Sequence, residues 1–194
     1  MSTEAAILAG GQARRFGGRD KSALVVGGER ILERQVAMLR PLAARIVIVG
    51  GPPERFIGID LPVVQDLVPG AGALGAVYTA LGQCRADRLL VLACDMPFVT
   101  TAFVAHLAAT GRDADVTVPR DGHGLHPLCA AWSPGAAPVV ADLLDRGERR
   151  VRAALARLRL HVVEGADLAA FDPDGRLLRN INTPDEYTRT LETD

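Results

Sequence analysis

Two features of this 194-residue sequence could do chemistry on an anion. The first is Leu8-Ala9-Gly10-Gly11, where an apolar run ends in a glycine pair, followed by Arg14, Arg15, Arg19 and Lys21. Paired glycines let backbone N–H groups come close to an anion with no side chain in the way. Four cations between positions 14 and 21 supply enough positive charge to hold a polyphosphate. Lys21 is the only lysine in the chain, all other basic residues being arginine. A compact ammonium meets a phosphate as a point charge, which a planar guanidinium does not. The loop is no Walker P-loop, since Asp20 rather than glycine precedes Lys21, and it lacks the spacing of the dinucleotide fingerprint. The second feature is Asp95 in Cys94-Asp95-Met96-Pro97, directly after the most strand-like segment of the chain. A carboxylate there suits Mg²⁺, which takes oxygen ligands and joins protein to phosphate. By position alone it equally suits a turn or helix cap before Pro97. Asp66 carries the same ambiguity after its own short strand.

These groups need elements to hold them. Glu4–Ala9, Arg45–Val49, Pro62–Gln65, Leu89–Ala93, Asp115–Pro119, Pro127–Trp132 and Leu160–Val163 read as strands, and the early ones are apolar throughout, as in a sheet buried on both faces. Leu32, Val36 and Leu39 fall on one helical face before Pro41. A stretch rich in glycine, Gly70 to Gly75, precedes a small-residue helix through Val77, Tyr78 and Leu81. Val151, Leu155 and Leu158 share another helical face. Thr183-Pro184-Asp185-Glu186 predicts a helix start, with a capping threonine, proline at the first position and glutamate at the third. Strands alternating with helices imply an α/β fold with a mostly parallel central sheet and helices on both faces. In such sheets ligands lie beyond the carboxyl ends of strands, which directs attention to the residues after Ala9, Gln65 and Ala93.

Composition narrows the function. The chain is 48% hydrophobic with a formal net charge of −1, so it builds a core without a staple and carries no global basic field for nucleic acid or anionic lipid. Aromatic residues at 4% argue against a base-stacking surface. No apolar run approaches the ~20 residues of a membrane span, and the opening Met1-Ser2-Thr3-Glu4 lacks the features of a secretory signal. Cys84, Cys94 and Cys129 are odd in number and never spaced as a zinc or disulfide framework. The expectation is a cytoplasmic protein of one domain over residues 1–194, with no nucleic-acid or membrane partner.

The segment Leu8–Lys21, with Arg15, Gly17-Gly18 and Asp20-Lys21, resembles the signature loop of nucleotidyltransferases, and within that group the molybdenum cofactor guanylyltransferases. Cys94-Asp95-Met96-Pro97-Phe98, His126-Pro127-Leu128, Gly147-Glu148-Arg149-Arg150-Val151 and Asn180-Ile181-Asn182-Thr183-Pro184 match in the same order, so the likeness runs from the first strand to the last helix. The resemblance implies a three-layer, Rossmann-like nucleotidyltransferase fold, its N-terminal half binding nucleotide and its C-terminal half the cofactor substrate. It implies transfer of GMP from Mg²⁺-GTP to molybdopterin, with release of pyrophosphate. By the same resemblance Leu8, Ala9 and Gly10 contact GTP, Gly11 shapes the turn, Lys21 and Arg15 neutralise the departing phosphates, Asp66 contacts the nucleotide and Asp95 holds Mg²⁺. Arg149, Arg150, Asn180 and Asn182 fall to molybdopterin, and transient contacts with cofactor-donating and cofactor-receiving proteins follow from the substrate.

Three positions depart from the family pattern. Gly72-Ala73-Leu74-Gly75 stands where a Gly-Pro-Leu run is usual, Gly51 replaces an asparagine of some members, and Phe16 replaces a common methionine. None touches phosphate or metal chemistry; base selection is what they bear on. A sister enzyme that transfers CMP to the same cofactor tends to read Leu-Ala-Ala-Gly where this chain has Leu8-Ala9-Gly10-Gly11. A sugar-nucleotide pyrophosphorylase fits the length and the loop less well. A non-catalytic nucleotide-binding module has less need of Arg15, Lys21 and Asp95 together.

Overall fold

Side chains along the first strand alternate between two hydrophobic clusters, Ala5 and Ile7 in one, Ala6 and Leu8 in the other. A strand buried this way must lie inside a sheet covered on both faces. The computed structural model describes residues 1–10 and 24–192, with the side chain of Glu192 left aside. Its strands are β1 (Thr3–Leu8), β2 (Val25–Val26), β3 (Glu29–Arg30), β4 (Ile46–Val49), β5 (Val63–Val64), β6 (Arg88–Ala93), β7 (Val116–Asp121), β8 (Gly124–Leu125), β9 (Cys129–Trp132) and β10 (Leu160–Val163). Its α-helices are α1 (Ile31–Leu39), α2 (Gly72–Gln83), α3 (Thr101–Ala109), α4 (Ala137–Asp145), α5 (Val151–Leu155), α6 (Gly165–Ala169) and α7 (Pro184–Glu192).

The central sheet runs β10-β7-β9-β6-β1-β4-β5, with β8 paired to β7 and β2-β3 forming a separate hairpin. Strands β5, β4, β1 and β6 are mutually parallel, as are β7 and β10. Within that path β9 runs against both of its neighbours. Helices α1 and α3 cover one face through Leu32, Val36, Leu39, Phe103 and Leu107. The other face is covered by α2, α4 and α5 through Leu74, Val77, Val140, Leu144, Val151 and Leu155. This is the three-layer α/β arrangement expected from the alternation of apolar strands and amphipathic helices. Among the described residues no helix is long and apolar enough to cross a membrane.

One expectation changes. The glycine-rich stretch at 70–75 is not all loop, because α2 already starts at Gly72, whose φ of 62° permits the sharp entry. The sheet is mostly parallel, as expected, with β9 inserted antiparallel between β6 and β7.

Candidate active site at the carboxyl edge of the sheet

Register brings the chemistry together. Leu8 pairs with both Val49 and Ala93, and Val49 pairs with Val64, so four parallel strands end at one edge. The ladder continues past the ends: Ala9 N donates to Val49 O at 2.9 Å, Cys94 N to Leu8 O at 3.1 Å, and Gly50 N to Val64 O at 2.8 Å. Gly10, Gly50, Asp66 and Asp95 therefore leave the sheet side by side. The crossing of Gly10 and Gly50 is tight. Gly50 has a φ of 89°, and a Cβ there would lie 2.5 Å from Gly10 Cα. Only glycine serves at that position.

A cavity of about 380 Å³ opens at this edge. Its floor is Leu8, Ala9 and Gly10 from β1, with Ala93, Cys94 and Asp95 from β6. Asp66 and Arg55 form one wall, and Leu128, Asn180 and Asn182 another. The first turn of α2 contributes Gly72, Ala73 and Ala76. The positive end of that helix thus lies beside the space, an arrangement that favours an anion.

Each carboxylate is held by its own local support. Leu67, next to Asp66, donates its N–H to Thr79 Oγ1 at 3.0 Å, and the buried Thr79 hydroxyl in turn donates to Gly75 O at 2.9 Å. Asp66 Oδ1 is buried with no hydrogen-bond partner among the described residues, and burial pushes its carboxyl above the ordinary carboxylate range. The turn carrying Asp95 is fastened from beneath. Gln35 of α1, only 2% exposed, donates through Nε2 to Ala93 O at 2.8 Å and to Met96 O at 3.1 Å. From above, Ile181 N donates to Asp95 O at 2.9 Å. Ile181 is buried with Leu24, Val26 and Ile31, so Asn180 and Asn182 flank a fixed point and reach the cavity. The predicted cap follows at once: Glu186 N donates to Thr183 Oγ1, and Glu186 Oε2 accepts from Asn182 N and Thr183 N.

The predicted residues thus divide into three groups. Leu8, Ala9, Gly10, Asp66, Asp95, Asn180 and Asn182 line one cavity. Arg149 and Arg150 are outside that lining, at the start of α5, where Arg150 pairs with Glu148 at 2.8 Å and Arg149 donates to Leu144 O and Glu148 O. Gly11, Arg15 and Lys21 fall outside the described residues. His126, from the matched His126-Pro127-Leu128 motif, lies with Nε2 2.8 Å from Asp121 Oδ1 and outside the lining. Arg55 was missed, because a single arginine in Pro52-Pro53-Glu54-Arg55 reads as a solvated turn. Gln35 was missed too, and only its burial inside a helix marks it.

The family follows from comparison with known proteins. Residues 5–162 match the model of the MobA-like NTP transferase domain. The chain belongs to that family. It is 36% identical to the protein of Chloroflexus aggregans named "probable molybdenum cofactor guanylyltransferase", over 96% of this chain and 92% of that one. It is 35% identical to the molybdenum cofactor guanylyltransferase of Cereibacter sphaeroides, over 94% and 92%. Among solved structures, the molybdopterin-guanine dinucleotide biosynthesis protein A of Archaeoglobus fulgidus superposes with a TM-score of 0.84 at 26% identity, covering 98% of this chain and 97% of that one.

Proposed function

We propose that this chain transfers GMP from GTP to the terminal phosphate of molybdopterin, giving the guanine dinucleotide form of the cofactor and pyrophosphate. The observation that carries the reading is the single cavity in which the nucleotide shelf Leu8–Gly10, the carboxylates Asp66 and Asp95, and the distant pair Asn180 and Asn182 meet. Membership of an NTP transferase family supports the donor, and the names of the relatives support the acceptor. The whole chain acts as one nucleotidyltransferase domain in this reading, its first half binding nucleotide and its second half the acceptor. Cys84, Cys94 and Cys129 form no disulfide among the described residues, which accords with a reducing cytoplasm.

Magnesium fits the donor set. Two carboxylates line the cavity, and one of them has a buried oxygen with no hydrogen-bond partner among the described residues. Asp95 would hold the ion, with Asp66 nearby, and phosphate and water oxygens would complete its shell. When bound, it supplies charge neutralisation along the triphosphate.

The residues of this chain then have three tasks. The acceptor is a phosphate monoester, already anionic near neutral pH, so no general base is required. Leu8, Ala9 and Gly10 orient the α-phosphate end of GTP through their backbone, assisted by the positive end of α2. Lys21 and Arg15 lower the repulsion between two anions and stabilise pyrophosphate as it leaves. Asn180 and Asn182 donate amide N–H groups to the incoming phosphate. Arg149 and Arg150 enter only as outer contacts of the acceptor.

Incubation with Mg²⁺, molybdopterin and either GTP or CTP tests the reading by pyrophosphate release and dinucleotide formation. Turnover with GTP far above CTP is expected. The reverse preference assigns the chain to CMP transfer, and nucleotide binding without turnover makes it a binding module.

A further inference from the structure

A second cavity, of about 410 Å³, lies beside the first and shares Asn180 with it. Its walls are Phe98 from the segment after Asp95, Arg176 and Arg179 from the turn before Asn180, and Arg189 from α7. We propose that this compartment is the seat of the acceptor's ring body, a fused heterocycle bearing anionic sulfur and metal-oxo groups; the inference rests on the reading above.

Three observations carry it. The first is charge. Arg176, Arg179 and Arg189 converge on the space, against one carboxylate among the described residues of its lining, Glu186, whose Oε2 accepts backbone N–H groups from Asn182 and Thr183. The second is shape. The Arg176 guanidinium lies 4.1 Å from the centroid of the Phe98 ring, which builds a flat cationic surface of the kind that stacks on planar rings. The third is fixity. Asp172 Oδ1 accepts from Arg176 N at 2.7 Å and Leu177 N at 2.9 Å, Leu177 and Leu178 enter the core, and Ile181 N is tied to Asp95 O. The cations therefore stand on a built platform.

The connection through Asn180 gives the direction. A phosphate held at Asn180 and Asn182 would face the nucleotide in the first cavity, and the rest of the acceptor would extend past Asn180 toward the arginines. The cations at 176, 179 and 189, rather than Arg149 and Arg150, become the acceptor's principal charged contacts.

The test replaces the two exposed arginines, Arg179→Ala and Arg189→Ala, singly and together. Apparent KM is measured for molybdopterin and for GTP, along with inhibition by pyrophosphate. The double variant should raise the KM for molybdopterin roughly 10–100-fold, as for loss of charge-assisted hydrogen bonds, and leave the KM for GTP and the pyrophosphate inhibition within about twofold. Arg179→Lys should recover part of the loss. An unchanged molybdopterin KM in a folded, active variant overturns the inference, and so does weaker pyrophosphate inhibition alone, which would make the compartment the leaving group's seat. Anaerobic equilibrium binding of molybdopterin without GTP separates the two claims. If the native chain binds molybdopterin but transfers nothing, the proposed reaction fails; if the double variant binds it as well as the native chain does, the compartment fails.

Discussion

Asp66 shows how a side chain can be disfavoured by the fold and still belong to the site. Its carboxyl is pushed upward by burial, so folding disfavours its charged form. The sign of the linkage follows. Below the unfolded carboxyl pKa, about 3.9, the group is neutral in both states and burial costs nothing through ionisation. As pH rises through the folded value the cost of the buried charge is reached in full. Asp66→Asn should therefore be more stable than the native chain near neutrality, by an increment that shrinks toward pH 4, while binding GTP less well. Thermal midpoints between pH 4 and pH 8 check this, and an increment independent of pH would refute it. Asp95 and Lys21 differ in being assigned to the charge of the reaction itself. Asp95→Ala and Lys21→Ala should each lower turnover by at least ~100-fold, as for loss of one key electrostatic group. A near-native rate in steady-state assays would remove that residue from the mechanism.

At the scale of elements, what holds the site is the crossing of strand exits. Gly10 and Gly50 touch because β1 and β4 end in register, and a methyl at residue 50 would meet Gly10 at 2.5 Å on a backbone with positive φ. Gly50→Ala should cost roughly 2–4 kcal/mol of stability, combining overpacking with left-handed strain. Denaturant titration measures it, and a loss below 1 kcal/mol would mean that the two exits separate easily. The elements were unequally legible in the sequence. Strand β4 is apolar from end to end and β6 is apolar from Leu89 onward, and no other reading fits them. The reversal of β9 was hidden, because Cys129-Ala130-Ala131-Trp132 is buried on both faces and reads the same in either direction. The β2-β3 hairpin is two residues a side, too short to show a period. Helix α3 was not located, since Thr101–Ala109 is apolar nearly all round. In the site, Gly10 and Asp95 stand out by position, whereas Asn180 and Asn182 are visible only through a resemblance. Arg176, Arg179 and Arg189 carry no mark at all in a chain whose ordinary surface cation is arginine.

Across the whole molecule, a buried polar anchor stands at the edge of the sheet opposite the site. Arg88 opens β6 and is 1% exposed. Its guanidinium donates to Ala114 O at 3.0 Å, to Thr117 Oγ1 at 2.7 Å and, more distantly, to the carbonyls of Thr110 and Gly111 just beyond α3. Burial holds its pKa below the usual arginine value, with carbonyl dipoles rather than a carboxylate as partners. Asp95 leaves the other end of the same strand, roughly 20 Å away at the usual rise per residue. Arg88→Met should cost roughly 2–4 kcal/mol of stability with little change in the KM for GTP. A large rise in that KM, in a variant that still folds, would show that the two edges are coupled.

The single hydrogen bond from Ile181 N to Asp95 O joins positions 86 residues apart. In the proposed reaction, a ribosome that has released the chain only through β6 has made the residues assigned to the donor, while those assigned to the acceptor are still to be synthesised. On that proposal a polypeptide cut short before residue 180 would be expected to capture nucleotide without passing it on, a dead-end form rather than a weaker version of the whole.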